Sequence, residues 1–528
     1  MIFPIILISS LIISSLEYKI LVYNPIFTAS HIRYMNNLAD LLQTAGHNVT
    51  VLRAPMNPYN DNIRAKKARE VEPKVRSKII DEKAEILESF AKDSWTHRNT
   101  ENPFNIIFEL FGLMKWSIEA CEYVMDNKEL VDELRNEKYD LGIVEAFIPC
   151  GLGVLKYVNI SNHISVMSGA LYDSFYSKFG LSFYTMQIPS VTSPFTPEMS
   201  YKERIYNFCA YIAMEILYYN HIIFGNKMLS KYSEIEGIDL DEELRTSAFV
   251  VSNDDPILSY STPQCPKILR LGGLLIAEPK PLNKDFDEWL NIRKENVVIS
   301  FGSVAKSSLM TDEMKIGMVK IFKSFPNATF IWKYEEDRPK ILNGIDNVIT
   351  IKWIPQIDIL NDPRVSLFVT HGGMNTLNEV AYFGVPILAM PLFGDQPRNS
   401  KMYEFSEIGK SFDKKDLVEN IDYVISLFKE LMENPKYKKN AKRVSTLIQN
   451  RPYDLKETFL RHIDFAAKFG NVEELGVYNK NLPFWKYTML DVYAGFCFVI
   501  ILIIYALYRI FSTMQLMFSF VKSHEKTE

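Results

Sequence analysis

The chain has 528 residues and a formal net charge of −5, and 47% of its residues are hydrophobic. This length suffices for two or three domains with sizeable cores, whereas the acidic balance excludes the basic footprint of a nucleic-acid-binding protein. Five cysteines without ligand spacing exclude a metal cluster and a disulfide framework, and one pair remains open among Cys121, Cys150, Cys209 and Cys265.

The chain opens on an apolar run, MIFPIILISSLIISS, which ends in small residues but lacks the usual positive start. This pattern indicates a signal peptide over residues 1–15, cleaved near Ser15. A strand–helix–strand unit follows, made of YKILVYNPI, a helical run that stops at Gly46, and NVTVLRAP. We expect this unit to open an N-terminal, acceptor-binding domain over residues 16–260.

The remainder of this N-terminal part has a less regular pattern. Residues 64–92 are charged and amphipathic and predict a solvated helix, while YDLGIVEAF at 139–147 predicts a buried strand. Residues 171–224 are rich in Tyr, Phe and Met and contain turn signals, which favour irregular, pocket-forming structure. Prolines and glycines over 261–281 indicate a linker.

Strands and helices alternate beyond the linker, in the order VVISFGSV, a helix near 312–325, ATFIWKY, NVITIKWIP, VSLFVTHGG, a helix and PILAMPL. Such alternation predicts a parallel sheet covered on both faces, in a C-terminal domain over 282–450. The expected fold class is therefore α/β, with two doubly wound domains and a cleft between them. A helical segment over 451–487 completes this part.

The uncharged run VYAGFCFVIILIIYALY at 492–508 is long enough to cross a bilayer and has aromatic residues at both ends. A buried core helix is the alternative, but the run follows all the domain-like sequence. We expect a transmembrane helix over 488–511 and a cytosolic tail over 512–528. With a signal peptide, this gives a single-pass type I protein with its bulk on the lumenal side. Sequons at Asn48, Asn159 and Asn327 fit that compartment, although a place beside a strand would bury Asn48.

The stretch THGGMNTLNEVAYFGVP, residues 370–386, joins a predicted strand to a predicted helix. Paired glycines let a backbone approach a ligand closely, and a helix N-terminus offers free N–H groups and partial positive charge to an anion. Asn375 would cap the helix and Gly384 would end it. Glu379 lies one turn beyond Asn375, so a diphosphate and a ribose fit this face, although the spacing alone suits any anion.

Together with WIPQ at 353–356 and PLFGDQPRNS behind it, this stretch resembles the signature of UDP-glycosyltransferases, specifically the membrane-anchored UDP-glucuronosyltransferases. NPIFTASH, GHNVTVL, SFGSV and the late apolar span extend the resemblance along nearly the whole chain, in the style of nematode members. It implies a GT-B fold in the endoplasmic reticulum membrane. It also implies transfer of a sugar, glucuronic acid first and glucose second, from a UDP-sugar to small lipophilic hydroxyl acceptors. A homo-oligomer remains open.

The resemblance also assigns roles to donor-binding residues. Trp353 would stack on the uracil, Gln356 would contact the nucleoside, and Glu379 would bind the ribose hydroxyls. The diphosphate would lie against Ser303, His371, Gly373, Asn375 and Thr376, and the donor sugar against Asp395 and Gln396. No DxD pair lies in a loop that would suggest a metal-bridged diphosphate. We therefore expect no metal and no cofactor, with the UDP-sugar as co-substrate.

His31, in NPIFTASH, follows the first predicted strand, where a ligand cleft is expected. A lone histidine is more often structural, but an acceptor hydroxyl is a weak nucleophile and needs a base such as neutral imidazole. The resemblance makes His31 this base, in a single displacement with inversion. It makes Glu145 the carboxylate partner of His31, where vertebrate members carry Asp. Thr28 stands where relatives often have glycine, which would alter the acceptor pocket.

Two other function classes compete with a transferase. A dinucleotide oxidoreductase needs G-x-G-x-x-G after its first strand, and NPIFTASHIRYM does not contain it. A non-catalytic UDP-sugar-binding membrane protein would keep the nucleotide site alone. The retained His31 and the Asp395–Gln396 pair argue against that alternative.

Overall fold

The computed structural model describes residues 17–74, 92–96, 103–477 and 482–524. The chain divides into two units, a body that extends to Gly476 and a C-terminal unit that begins at Val477. The predicted signal peptide and residues 75–91 of the predicted charged helix lie outside the described residues.

The N-terminal part of the body contains a seven-stranded parallel sheet. Its strands are β1 Lys19–Ile26, β2 Asn48–Pro55, β3 Arg69–Val71, β4 Leu141–Glu145, β5 His163–Met167, β6 Val250–Ser252 and β7 Ile268–Arg270. Their order is β3-β2-β1-β4-β5-β6-β7. The helices are α1 Ala29–Thr44, α2 Pro103–Asp126, α3 Lys128–Glu137, α4 Cys150–Tyr157, α5 Asp173–Lys178, α6 Tyr201–Leu229 and α7 Leu240–Arg245.

Alternate residues of β1 enter two different hydrophobic cores. Leu21 and Tyr23 pack into one core, whereas Ile20 and Val22 pack into the other. Successive side chains of a strand point to opposite faces, so this sheet is covered on both sides.

The C-terminal part of the body repeats this plan with six parallel strands. They are β8 Glu295–Ser300, β9 Ala328–Lys333, β10 Val348–Ile351, β11 Val365–Thr370, β12 Ile387–Ala389 and β13 Gly409–Ser411, in the order β10-β9-β8-β11-β12-β13. The helices are α8 Lys284–Ile292, α9 Asp312–Ser324, α10 Gln356–Leu360, α11 Met374–Phe383, α12 Gln396–Phe405, α13 Asp416–Glu419, α14 Ile421–Glu433 and α15 Pro435–Gln449. The predicted α/β fold with two doubly wound domains is confirmed.

Three local expectations were wrong. The predicted linker contains β7, the edge strand of the first sheet, so that sheet extends beyond residue 260. Within the stretch expected to be irregular, Ser200 and Glu203 form a capping box that starts the 29-residue α6. Apolar residues lie on both its buried and its exposed faces, which hides the helical period. The charged stretch contributes the strand β3 rather than a helix at 69–71.

Each domain packs a segment from the other part of the chain into its core. The last helix of the body, α16 Leu455–Phe469, buries Phe459 and Ile463 in the core beside β1 and β2. In the opposite direction, Trp95 is fully buried in the C-terminal core and meets the Phe301 ring edge-on, with 5.4 Å between ring centroids. These exchanges tie the two domains together across the cleft.

A disulfide joins Cys121 of α2 to Cys150 at the start of α4 and thus resolves the open pairing. All three sequon asparagines are exposed, including Asn48, for which burial beside a strand was the alternative. Asn48 is the first residue of β2, where the strand has only just entered the sheet.

The C-terminal unit consists of α17 Phe484–Tyr487 and α18 Leu490–His524. Residues Leu490–Ser519 have a mean hydropathy of 2.4 over their most apolar window and are long enough to cross a membrane. This is the one such helix in the described part of the chain. It is longer than the predicted span, because the helix continues through most of the predicted tail.

Candidate active site

A cleft with a cavity volume of about 1600 Å³ opens where strands of both sheets reach their carboxyl ends. Ligands of doubly wound folds bind at this edge. The cavity wall contains every predicted site residue except Glu145, namely His31, Ser303, Trp353, Gln356, His371, Gly373, Asn375, Thr376, Glu379, Asp395 and Gln396. One cavity therefore holds residues that lie far apart in the sequence.

His31 lies in the first turn of α1, directly after β1, and Glu145 is the last residue of β4. β1 and β4 are neighbours in the sheet, which brings the two side chains together. The distance from His31 Nδ1 to Glu145 Oε2 is 3.1 Å. With Nδ1 protonated toward the carboxylate, the imidazole Nε2 is left as the basic nitrogen.

Glu145 is fully buried and accepts hydrogen bonds on both of its oxygens. The backbone N–H groups of Phe147 and Ser168 donate to Oε1 over 3.4 and 3.3 Å. The Ser168 hydroxyl donates to Oε2, the oxygen that His31 also contacts. These donors offset the cost of burying a carboxylate and hold it in one orientation toward His31.

Aromatic rings form the wall around His31. The Phe27 ring lies 4.6 Å from the imidazole centroid to centroid, and the Phe147 ring lies 5.9 Å away. Tyr172 meets Phe147 edge-on, and Trp116 of α2 lines the same part of the cavity. An apolar compound with a hydroxyl group can therefore pack here with its oxygen beside the imidazole.

Trp353, Gln356 and Glu379 lie together on the opposite side of the cleft. Gln356 Nε2 donates to Glu379 Oε2 over 2.5 Å and to the Thr376 hydroxyl over 3.3 Å. Protein surrounds the Glu379 carboxyl although the cleft still reaches it, and this burial raises the pKa of Glu379 to about 7. The carboxyl is thus well placed to accept hydrogen bonds from vicinal hydroxyls.

The Trp353 indole is 56% exposed, and cations approach its ring. The Arg33 guanidinium carbon, from α1 of the other domain, lies 5.1 Å from the ring centroid. The Lys333 ammonium, at the end of β9, lies 5.5 Å away and donates to the Gly302 carbonyl over 2.5 Å. An indole held in this way offers a flat surface on which a base can stack.

The start of α11 presents backbone N–H groups to the cavity. Gly373, in extended conformation, occupies the N-cap position, so the expectation that Asn375 caps the helix was wrong. The helix begins at Met374, one residue before Asn375, because a glycine without side-chain demands can serve as the cap. The amide-rich helix start remains suited to an anion.

His371 packs between two glycines, Gly302 and Gly373. A Cβ on Gly302 or on Gly373 would lie 2.8 Å from an imidazole atom, and Gly302 also has a φ of +83°. Burial, reinforced by the positive charge of Lys333, lowers the pKa of His371 to about 4. His371 is therefore a neutral hydrogen-bonding group at neutral pH.

Asp395 and Gln396 stand at the start of α12. Gln396 Oε1 accepts from the backbone N–H groups of Leu392 and Phe393 over 2.9 and 3.1 Å, which orients its amide. Asn399 donates to Asp395 Oδ2 over 2.8 Å, and burial raises the pKa of the Asp395 carboxyl. Two oriented polar groups thus face the cavity between His31 and the start of α11.

Sequence reasoning missed several residues of this site. Ser168 and Asn253 are the first residues after β5 and β6, and their positions at the carboxyl ends of parallel strands are the signal that could have identified them. Lys333 ends β9 and carries the same signal. The aromatic contacts of Phe27 and Phe147 with His31 have no such local pattern.

Comparisons with known proteins agree with this geometry. The family model described as "UDP-glucoronosyl and UDP-glucosyl transferase" matches residues 19–527. The putative UDP-glucuronosyltransferase ugt-47 of Caenorhabditis elegans is 27% identical over 94% of this chain and 93% of its own. UDP-glucuronosyltransferase 3A2 of Homo sapiens is 26% identical over 88% of this chain and 87% of its own.

Solved structures share the fold at low sequence identity. The glycotransferase of kitacinnamycin aligns with a TM-score of 0.60 and 14% identity, over 85% of this chain and 99% of that one. Phytolacca americana UGT2, complexed with UDP-2fluoro-glucose and pterostilbene, aligns with a TM-score of 0.54 and 13% identity, over 85% and 100% of the two chains. The fold is that of the GT-B glycosyltransferases.

Proposed function

Because this chain belongs to the family of UDP-glucuronosyl and UDP-glucosyl transferases, we propose that it is an inverting glycosyltransferase that moves a sugar from a UDP-sugar to a hydroxyl group of small lipophilic acceptors. One observation carries this proposal. A histidine hydrogen-bonded to a buried carboxylate, His31 with Glu145, opens into the same cavity as the nucleotide-binding signature.

In this mechanism His31 Nε2 accepts the proton of the acceptor hydroxyl while the acceptor oxygen attacks the anomeric carbon. The new C–O bond forms as the bond from that carbon to the β-phosphate oxygen breaks, and UDP departs with the electron pair. Attack opposite to the leaving group inverts the anomeric configuration. Glu145 holds the required tautomer and stabilises the imidazolium that forms.

The donor is held by the C-terminal domain. Trp353 stacks on the uracil, Gln356 contacts the nucleoside and Glu379 accepts from the ribose hydroxyls. The diphosphate lies at the start of α11, against Ser303, His371, Gly373, Asn375 and Thr376. Backbone N–H groups and the neutral His371 meet the charge that develops on the leaving group.

The reaction is metal-independent in this proposal, since the helix N-terminus supplies the positive end that a bridging cation would otherwise supply. We expect activity to persist in excess EDTA, after the protein has been exchanged into metal-free buffer. Loss of activity on chelation, with recovery on adding Mg²⁺ or Mn²⁺, would contradict this point.

The donor sugar is proposed to be glucuronic acid, with glucose as the alternative. Four cationic and six carboxyl side chains line the cavity, so its charge does not select the donor, and the choice of glucuronic acid follows the resemblance to UDP-glucuronosyltransferases. The relatives named above as UDP-glucuronosyltransferases support the same choice. Asp395 and Gln396 are assigned to the sugar hydroxyls. Competition between UDP-glucuronate and UDP-glucose at equal concentration decides between the two donors.

The protein is further proposed to be a type I glycoprotein of the endoplasmic reticulum, anchored by α18 with its catalytic part in the lumen. The exposed sequons and the disulfide suit that compartment. Protection of the body from protease in sealed microsomes, with a mass shift on deglycosylation, is the expected result. Cleavage of the body without detergent would contradict this topology.

The test of function uses membranes that contain the full chain, incubated with labelled UDP-sugars and a panel of phenols. We expect sugar transfer by the wild type. His31→Ala should lose about 10²–10⁴-fold of the rate, the usual contribution of a general base, and still bind UDP within about twofold of wild type because UDP is bound by the other domain. A wild type that binds UDP without transferring sugar would instead identify a non-catalytic binder.

A further inference from the structure

Asn253 lies at the contact between the two domains, where β6 ends. Its side chain is 2% exposed and belongs to the N-terminal domain. Its Nδ2 donates to the Ser168 carbonyl over 2.9 Å and to Asn375 Oδ1, on α11 of the other domain, over 2.7 Å. From that same helix, Asn378 Nδ2 donates back to the Asn253 carbonyl over 2.9 Å. Asn253 therefore joins the two domains through hydrogen bonds in both directions.

The orientation of these amides follows from the hydrogen-bond partners. A backbone carbonyl can only accept, so the group of Asn253 that faces the Ser168 carbonyl must be the NH₂. The same NH₂ meets Asn375, which must then present its oxygen. The Asn375 NH₂ is left at the other end of the planar amide, and it donates to no protein group in the described part of the chain.

Asn375 also lines the cavity, in the first turn of α11 and two residues after the N-cap Gly373. If the amide were reversed, it would turn a carbonyl oxygen to the place where an anion is expected, and that oxygen would repel the anion. The contact from Asn253 excludes this reversed state. The side chain that faces the anion is therefore set by a residue of the opposite domain.

We propose that Asn253 is a positioning residue for the donor: it orients the Asn375 amide so that its NH₂ donates to the diphosphate of the UDP-sugar. This inference rests on the proposed function, since it needs a nucleoside diphosphate at α11. Because the contact joins the domains, diphosphate binding and domain contact stabilise each other. Ser168 also holds Glu145, so the same network reaches the partner of the base.

The experiment measures calorimetric binding of UDP and of uridine to the full-length protein in detergent. We expect Asn253→Ala and Asn375→Ala each to weaken UDP about tenfold, the size of one hydrogen bond to a charged group. The double variant should be no more than about twofold weaker than Asn375→Ala alone, because Asn253 acts through Asn375. Uridine lacks the diphosphate and should bind Asn253→Ala as it binds the wild type.

A matched control breaks a different contact between the same domains. Arg451 Nη2 pairs with Asp255 Oδ2 over 2.8 Å, two residues from Asn253 and away from Asn375. Arg451→Gln should bind UDP within about twofold of wild type. Equal losses in Arg451→Gln and Asn253→Ala would overturn the inference, because both would then act through domain contact alone.

Several other results would overturn it. These are additive losses of about a hundredfold in the double variant, an equal loss for uridine, or unchanged UDP binding in Asn253→Ala.

If Asn253→Ala does not fold, Asn375→Asp is measured in its place. The aspartate keeps an acceptor for Asn253 but turns an oxygen to the diphosphate. Asn375→Asp should weaken UDP binding at least about tenfold more than Asn375→Ala does and leave uridine binding unchanged. An effect on UDP binding no larger than that of Asn375→Ala would contradict the inference. A wild type that binds neither ligand would overturn the proposed function itself, and this inference with it.

Discussion

Two glutamates lie at the cleft, a fully buried one, Glu145, in the N-terminal domain and a partly buried one, Glu379, in the C-terminal domain, and their surroundings differ. Glu145, beside the base, accepts from His31, from the Ser168 hydroxyl and from two backbone N–H groups. Glu379, on α11, accepts from Gln356 alone among the residues that the structure describes. One carboxyl group is therefore fully paired by its own domain, whereas the other keeps hydrogen-bonding capacity for a ligand.

The two histidines of the cleft differ in the same way. His31 has a carboxylate partner at Nδ1 and lines the cavity. His371 has no carboxylate within hydrogen-bond distance among the described residues, and burial lowers its pKa to about 4. The residue type therefore does not decide the role. A histidine beside a carboxylate can take and hold a proton, whereas His371, with the Thr370 hydroxyl 3.2 Å from its Nδ1, stays neutral.

The largest effect in this comparison is expected for Glu145→Gln. A neutral amide can donate to His31 Nδ1 and so turn the ring to the wrong tautomer, and it cannot stabilise imidazolium. The turnover number should fall about 10⁴-fold, as it does when the orienting Asp of a Ser-His-Asp triad is replaced by Asn. The measurement is the transfer rate at saturating donor and acceptor, together with UDP affinity, which should stay within about twofold of wild type.

Glu145→Asp is the matched control, because it keeps the charge and shortens the reach toward His31. It should lose less activity than Glu145→Gln, about tenfold to a hundredfold. If the two variants lost equal activity, charge would not matter and the difference between the two glutamates would have no catalytic meaning.

The fold and the placement of His371 and Glu379 at the cleft were largely predictable from the sequence, for a physical reason. Buried parallel strands are continuous apolar runs, and residues such as His371 and Glu379 lie within one strand–turn–helix unit, so their spacing in the sequence fixes their spacing in space. The 29-residue α6 was missed because its exposed face is also apolar, which removes the contrast on which periodicity depends.

Contacts between residues of different strands, or of different domains, could not be predicted in the same way. Ser168 reaches Glu145 because the neighbouring strands β4 and β5 end at the same edge of the sheet, and Asn253 reaches Asn375 because the two domains meet there. Arg33 over Trp353 is also a contact between domains. No local pattern carries such pairings, since they depend on how the sheets are ordered and docked.

A smaller effect, with a clear pH dependence, is expected for Glu379→Gln. The pKa of Glu379 in the folded protein is about 7, above its ordinary value of 4.5. Between these two pH values the folded protein keeps the Glu379 proton while the unfolded chain has released it. Protonated Glu379 therefore contributes fully to the free energy of unfolding below pH 4.5, and this contribution is lost as the pH rises to about 7. Glu379→Gln should be more stable than wild type above pH 7, by about 2–3 kcal/mol, and similar to it at pH 4.5.

The same variant should weaken ligand binding only where Glu379 is ionised. Uridine is the suitable probe, because it contains the ribose but has no phosphate that titrates in this range. We expect about tenfold weaker binding by Glu379→Gln at pH 8 and little difference at pH 5.5. Urea unfolding and calorimetry at the two pH values measure both effects, and a pH-independent difference in either would show that Glu379 carries no titration.

The smallest effect concerns Arg33, which connects the two regions. Its guanidinium carbon lies 5.1 Å from the centroid of the Trp353 ring, on which the uracil is proposed to stack, and we expect the nucleotide to displace this cation–π contact when it binds. Such a contact at an exposed site is worth about 0.5–1 kcal/mol. Arg33→Ala should therefore bind UDP about two- to fivefold more tightly than the wild type, as measured by calorimetry. The UDP affinity of Arg33→Lys should lie between those of the wild type and Arg33→Ala. Weaker UDP binding by Arg33→Ala would mean instead that the Arg33 guanidinium contacts the bound nucleotide. Both domains would then contribute to donor binding.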